Sequence, residues 1–150
     1  MRVLIQEVLE ASVAIDGKKV AAIGRGFLLF VGFTEGDDEA TLVKMADKVS
    51  KLRIFPDENG KTNLSLREVN GEVLSVSQFT LYASMKEGNR PSFVAAMRPE
   101  RSAPLFAIWN SLLSERVPHL QTGVFGADMK VSLINDGPFT VLLDSKELFA

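Results

Sequence analysis

The stretch SVSQFTLYA, residues 75–83, closes an apolar run with Ser77, Gln78, Phe79 and Thr80, so that hydroxyl and amide groups flank an aromatic ring. Read simply, this is a strand with one solvated face and Phe79 in the core. Read chemically, backbone N–H groups at a strand end, with a hydroxyl and an amide beside them, stabilise an oxyanion without a charged side chain, provided the backbone is constrained. A second stretch, VSLINDGPFTVLLDS at 131–145, sets Asn135, Asp136, Gly137 and Pro138 between two runs of alternating polarity. Asp-Gly between such runs predicts a hairpin turn. Pro138 has no N–H for a ladder and restricts the residue before it, which makes the turn rigid as well as tight.

Other chemistries find little support. His119 is the only histidine, flanked by Pro118 and Leu120 in a segment expected to be a surface loop, and no G-x-S-x-G nucleophile elbow accompanies it. With no cysteine, disulfides, thiolate catalysis and cysteine metal sites are excluded. A metal would have to be held by carboxylates such as Asp37, Asp38, Asp128 and Asp136, whose ordinary home is a surface turn, so no metal is expected. None of the acids stands in a context that marks a glycosidase-like pair. GRG at 24–26 and VGFTEG lack both the P-loop lysine and the dinucleotide spacing, and no nucleotide cofactor is expected. Lys86, Arg90, Arg98 and Arg101 cluster in and after a polar loop. With 17 basic against 19 acidic residues, only a local patch of this kind could meet phosphate.

These groups must be positioned by the rest of the chain. A length of 150 residues with 46% hydrophobic content suits one domain, residues 1–150, with a real core. RVLIQEV and SVAIDGKKVAAIG predict strands joined at Asp16-Gly17, and the unbroken apolar run GFLLFVGF, 26–33, predicts a strand covered on both faces at the sheet centre. An amphipathic helix follows, capped by Asp37 or Asp38, with Leu42, Met45, Ala46, Val49 and Leu52 on one face. RIF and PDENG read as a short strand and turn. Asn70-Gly71 then reads as a hairpin-type turn before a strong strand ending near Ser84. SMKEGNRPSF is a loop by composition. A second helix opens near Pro99 and carries Leu105, Ile108, Trp109, Leu112 and Leu113 at helical spacing, with Trp109 expected in the core. Strands, a helix, more strands, a helix and a closing hairpin make an α+β domain on a mostly antiparallel sheet. The N-terminus resembles neither a signal peptide nor a membrane span, so the expected location is the cytoplasm and no membrane is expected as a partner.

RVLIQ, VSVSQFTLYA, KEGNRPSF and QTGVFGADMKVSLINDGPFT, taken in this order and at this separation, resemble the D-aminoacyl-tRNA deacylases over nearly the whole chain. The resemblance implies a curled, partly barrel-like sheet with two main helices. It implies hydrolysis of the ester that joins a D-amino acid to the 3′ terminal adenosine of tRNA. Glycyl-tRNA should be accepted too, because the site excludes L side chains rather than reading D ones. It also implies a cytoplasmic homodimer with the active site at the subunit interface, where Gly137 and Pro138, joined by a cis peptide, reach into the partner's site as a main-chain wall.

On the same resemblance the scissile ester lies near residues 77–80, with the Phe79 and Thr80 N–H groups and Gln78 positioning it and holding the oxyanion. Ser77, Phe125, Met129 and Asn135 would line the substrate pocket, and Lys86 and Arg90 would contact tRNA. Thr80 is an alternative nucleophile. Direct attack by water, helped by the terminal ribose 2′-hydroxyl, is favoured, because no base to activate Thr80 is visible. Two residues depart from the family pattern: Glu7 follows Gln6 where members usually carry arginine, and Phe139 replaces a more usual valine. Two alternatives stand beside this reading: a noncatalytic RNA-binding or dimeric module on the same fold, and a related deacylase with shifted chiral preference.

Overall fold

The computed structural model describes residues 1–150. Strand β1 (Arg2–Ile15) is long enough to serve two neighbours along one edge. Its first half pairs antiparallel with β3 (Gly26–Gly32), from Arg2 opposite Gly32 to Val8 opposite Gly26. Its second half pairs with β2 (Lys18–Ile23) across the Asp16-Gly17 turn, where both residues adopt positive φ. Beyond β3 the sheet continues in parallel through β6 (Glu72–Ser77) and β7 (His119–Thr122). The other edge of β1 is covered by β8 (Lys130–Asp144). The sheet is therefore mixed, with antiparallel pairs predominating, and it curls until β2 approaches β6 and β7. A separate ribbon joins β4 (Phe55–Pro56) to β5 (Thr62–Leu64).

As its apolar run predicts, β3 lies at the centre and is buried on both faces. Phe27, Leu29 and Val31 face helices α1 (Glu39–Lys51) and α2 (Pro99–Ser114), whereas Leu28 points into the curl with Val8, Val13, Ile23 and Leu74. Alternation along one strand thus builds two cores at once. Asp38 caps α1 by accepting from the Thr41 N–H at 2.9 Å, the sort of cap worth about 1 kcal/mol. Asp37 instead holds the Met1 ammonium at 2.6 Å, beside the Ser145 hydroxyl of the short helix α3 (Ser145–Phe149). In α2, which does begin at Pro99, Trp109 is fully buried and donates its indole N–H to the Ser75 hydroxyl at 3.2 Å. No helix is long and apolar enough to cross a membrane.

Four sequence expectations need correction. The strand through residues 72–77 stops at Ser77 and not near Ser84, because the chain folds into a 3-10 turn, Phe79–Tyr82. Asn70 does adopt positive φ in a turn, but Asn70-Gly71 joins no hairpin: β5 pairs with β4, and β6 pairs with β3 and β7. His119 is exposed on β7 rather than in a loop.

There is no closing hairpin, because β8 runs as one strand along β1 on both sides of the Gly-Pro pair. Thr140 faces Gln6 and Asn135 faces Val8, which leaves residues 136–139 bulged opposite Glu7 alone. Turn chemistry is the same for a bulge of this size as for a hairpin. Only the distant partner strand tells them apart.

Candidate active site

A cavity of about 550 Å³ opens at the C-terminal ends of the parallel strands β3 and β6. Phe30, Val31 and Val76 supply strand walls, Phe125 and Met129 come from the loop before β8, and Ser77, Gln78 and Phe79 lie where β6 gives way to the 3-10 turn. Met129 is seated by an absence: its sulfur occupies the space a Cβ on Gly123 would need, 2.7 Å away. Phe125 packs on Phe106 of α2 with ring centroids 6.0 Å apart.

The backbone at 77–82 is constrained from several sides. The Gln78 N–H donates to the Val31 carbonyl at 2.8 Å, extending the β3–β6 pairing by one step, and the chain then turns away at Gln78, whose φ of -149° and ψ of 84° belong to neither strand nor helix. Gly32 permits that turn, since a Cβ there would stand 2.9 Å from the Gln78 carbonyl oxygen and 3.2 Å from the Leu81 Cβ. From below, Arg2 donates to the Leu81 carbonyl at 2.8 Å, lies 4.6 Å from the Tyr82 ring centroid and pairs with Asp144 at 3.0 Å. Phe79 and Thr80 open the 3-10 turn, so their N–H groups have no acceptor within it. A fixed pair of free donors at the lip of an apolar cavity suits an oxyanion.

Thr80 stands just outside the cavity lining, and its hydroxyl accepts from the Gln78 amide at 2.6 Å. No imidazole or carboxylate bonds to it. Asp128 does line the cavity but pairs with Lys130 at 3.1 Å. Nowhere do three His, Asp or Glu side chains converge as a metal ligand set would.

The structure thus brings together Ser77, Gln78, Phe79, Phe125 and Met129. It places Gly137 and Pro138 elsewhere, in the β8 bulge, with Asn135 paired beside it, and none of them lines this cavity within the same chain. Asn135 clasps the bulge: its side-chain oxygen accepts from the Phe139 N–H at 2.6 Å and its amide donates to the Thr140 hydroxyl at 2.9 Å. The Gly137–Pro138 peptide is cis, and Gly137 has a φ of 142°, a conformation that favours glycine. Lys86 and Arg90 are exposed on the polar loop. Sequence reasoning passed over Phe93 and Ser102 in the lining and noted Arg98 only as a charge. The GNRPSF motif carried the signal for Phe93, but nothing in the spacing said that its ring stands at the cavity mouth.

Glu7 is the one buried residue whose side chain is ionisable as a carboxylate, only 3% exposed and opposite the bulge. Burial pushes its carboxyl above the usual glutamate range, Asp136 pushes the same way, and Arg25 opposes them. A raised native value means that the folded chain holds this proton to a higher pH than the unfolded chain does. Stability therefore falls as pH rises from the ordinary value of 4.5 through the raised one, and above that the folded state carries the whole penalty. Glu7→Gln is accordingly expected to stabilise the protein at pH 8 by on the order of 1 kcal/mol, the usual size of a single-residue effect, because the amide carries no charge to desolvate. The gain should vanish at pH 4. Urea midpoints of both proteins at the two pH values check this, and equal midpoints at pH 8 would refute it.

Comparison with protein families matches residues 4–144 to the family described as D-Tyr-tRNA(Tyr) deacylase. A D-aminoacyl-tRNA deacylase of Lactobacillus acidophilus is 62% identical over 144 residues, covering 96% of this chain and 99% of its own. That of Thermus aquaticus is 50% identical over 147 residues, covering 98% and 97%. Among solved structures, one described as a c-Myc DNA unwinding element binding protein superposes with a TM-score of 0.90 at 37% identity, over 96% of this chain and 98% of that one. A probable eukaryotic D-amino acid tRNA deacylase shares the fold with a TM-score of 0.83 at 17% identity, over 95% and 97%. A match spanning the first strand to the last, with relatives of this identity at nearly full length, decides the question: the chain belongs to the D-Tyr-tRNA(Tyr) deacylase family.

Proposed function

We propose that this protein hydrolyses the ester between a D-amino acid and the 3′ terminal adenosine of tRNA, and likewise releases glycine, while rejecting L-amino acids. The observation that carries the reading is the pair of free N–H groups, Phe79 and Thr80, fixed at the lip of an apolar cavity with no acid–base dyad beside them. Such a site suits a reaction whose charge develops on a carbonyl oxygen. Water adds to the ester carbonyl, the oxyanion rests on the two N–H groups with Gln78 alongside, and collapse expels the ribose 3′ oxygen. The neighbouring 2′-hydroxyl of the substrate passes the proton, which accounts for the lack of an imidazole or carboxylate at Thr80.

Chirality is judged by exclusion. In this reading the protein is a cytoplasmic homodimer, and the bulge at 136–139 of one subunit closes the cavity of the other. The placement of Gly137 and Pro138 away from their own chain's cavity supports it. So do the exposed apolar side chains Leu133, Ile134 and Leu142 on the strand that carries the bulge. A main-chain wall held by the Asn135 clasp clashes with an L side chain and leaves room for a D side chain or for glycine. Lys86 and Arg90 meet tRNA phosphates.

The test is release of amino acid from tRNA charged with a D-amino acid, an L-amino acid or glycine, compared with buffer alone. Rapid release of the first and third supports the reading. Binding without turnover would favour a noncatalytic nucleic-acid module, a reading that draws on the name of the 37% identical structural relative. Preference for L would mean a shifted chirality. Asn135→Ala is expected to lower discrimination against L by about tenfold with little change in the D rate, since loosening the wall acts on fit. Unchanged discrimination would show that the clasp is not what fixes the wall. Thr80→Ala is expected to keep kcat within about tenfold, whereas loss of a nucleophile costs far more.

A further inference from the structure

Phe79 and Phe93 meet edge to face at the mouth of the cavity, ring centroids 5.0 Å apart with planes inclined by 67°. Both remain open to water, at 57% and 39% exposure. A flexible loop could carry such rings by accident, but this one is fastened on both sides. Ser84 and Ser92 exchange backbone hydrogen bonds of 2.8 Å before Phe93, and after it the Thr34 hydroxyl donates to the Ala95 carbonyl at 2.6 Å and the Met97 N–H to the Phe33 carbonyl at 2.9 Å. Two aromatic faces are thus held in water on a rigid frame, an arrangement that marks a binding surface. Arg98 lies at the same mouth, exposed and without a carboxylate partner.

An open aromatic face beside an unpaired guanidinium is chemically matched to a nucleobase followed by its phosphate. We propose that the Phe79–Phe93 pair stacks the base of the nucleotide that precedes the terminal adenosine, while Arg98 contacts the phosphate between the two. This rests on the reading that the terminal adenosine and its ester occupy the cavity. The cavity then fixes one nucleotide and the platform the next, so the ligand is a single-stranded 3′ end and not an isolated nucleoside. Stacking is tolerant of base identity, so the platform would measure the presence of a base rather than its sequence.

The probes are the 5′-labelled trinucleotide CCA and the same molecule lacking its middle base, with fluorescence anisotropy as the readout. The unmodified protein is expected to bind intact CCA about tenfold more tightly than the abasic form, the scale of one base stacked on an aromatic side chain. Phe93→Ala should abolish that difference and Phe93→Trp should restore it. Arg98→Gln should weaken binding of both probes and reduce the salt slope by about one. Equal affinity for the two probes would overturn the proposal, as would a Phe93→Ala variant that keeps the preference. A change of oligomeric state in that variant would also overturn it, assigning the rings to a second copy of the chain. Turnover of charged tRNA by the unmodified protein is measured alongside: its absence with the probe preference intact defeats the deacylase reading alone, and its presence without the preference defeats the platform alone.

Discussion

Phe79→Pro is expected to lower kcat for D-aminoacyl-tRNA by about 10²–10³, the effect of deleting one oxyanion donor. The substitution is chosen for what it spares. Gln78 has φ -149° and ψ 84°, outside the helical region that a following proline disfavours, and proline is well accepted at the first position of a helical turn, where its missing N–H has no partner in any case. The turn should therefore persist, anchored by Arg2 on the Leu81 carbonyl and by the buried Tyr82. Phe79→Ala is the necessary companion, because it removes the same ring and keeps the N–H. At saturating substrate the alanine variant should react close to the unmodified rate, and the drop should belong to proline alone. Single-turnover measurements separate the two. Equal rates for both variants would remove the Phe79 N–H from the reaction.

Gly26→Ala is expected to destabilise the fold by at least about 3 kcal/mol, at the upper end of what overpacking does. A Cβ at this position would fall 2.6 Å from the Glu72 nitrogen and 2.7 Å from its carbonyl carbon, closer still to its oxygen, and all three atoms are backbone. No rotamer change relieves such a clash. Gly26 faces Glu72 at the start of the β3–β6 pairing whose other end, Val31 opposite Ser77, frames the cavity. For a chain of this length the melting temperature should fall by roughly 6–12 °C. Gly24→Ala serves as the comparison, since its Cβ would meet only the Glu72 side chain at an ordinary 3.6 Å. It should change stability by less than about 1 kcal/mol. Urea denaturation of the pair decides the matter, and equal midpoints would mean that the two strands can part at Glu72 without cost.

The contrast between what could and could not be read from the residues follows from the range of the interactions. Helices α1 and α2 were legible because Leu42, Met45, Ala46 and Val49, or Ile108, Trp109 and Leu112, reveal their face within a few residues of one another. The central place of β3 was legible because a strand apolar on both faces has nowhere else to go. The β8 bulge was not, because its meaning depends on register with β1, whose Gln6 and Val8 lie far away in sequence. The same holds for the halt of β6 at Ser77, which depends on Gly32 offering room and Arg2 offering a donor. Among site residues, Gln78, Phe79, Phe125 and Met129 do share one cavity. Phe93 and Ser102 complete it through packing that no local pattern encodes.

The bulge has a bearing on how this fold can change over time. Thr140 and Asn135 keep their places opposite Gln6 and Val8, so residues 136–139 lie outside the count that aligns β8 with β1. A residue exchanged, gained or lost there leaves every flanking pair where it was, whereas the same event in a ladder would turn a whole strand inside out. Phe139, bonded through its N–H to the Asn135 side chain, falls within those four positions. The segment is thus set apart from the count that aligns the two strands, so its backbone takes its own shape while the sheet around it stays fixed.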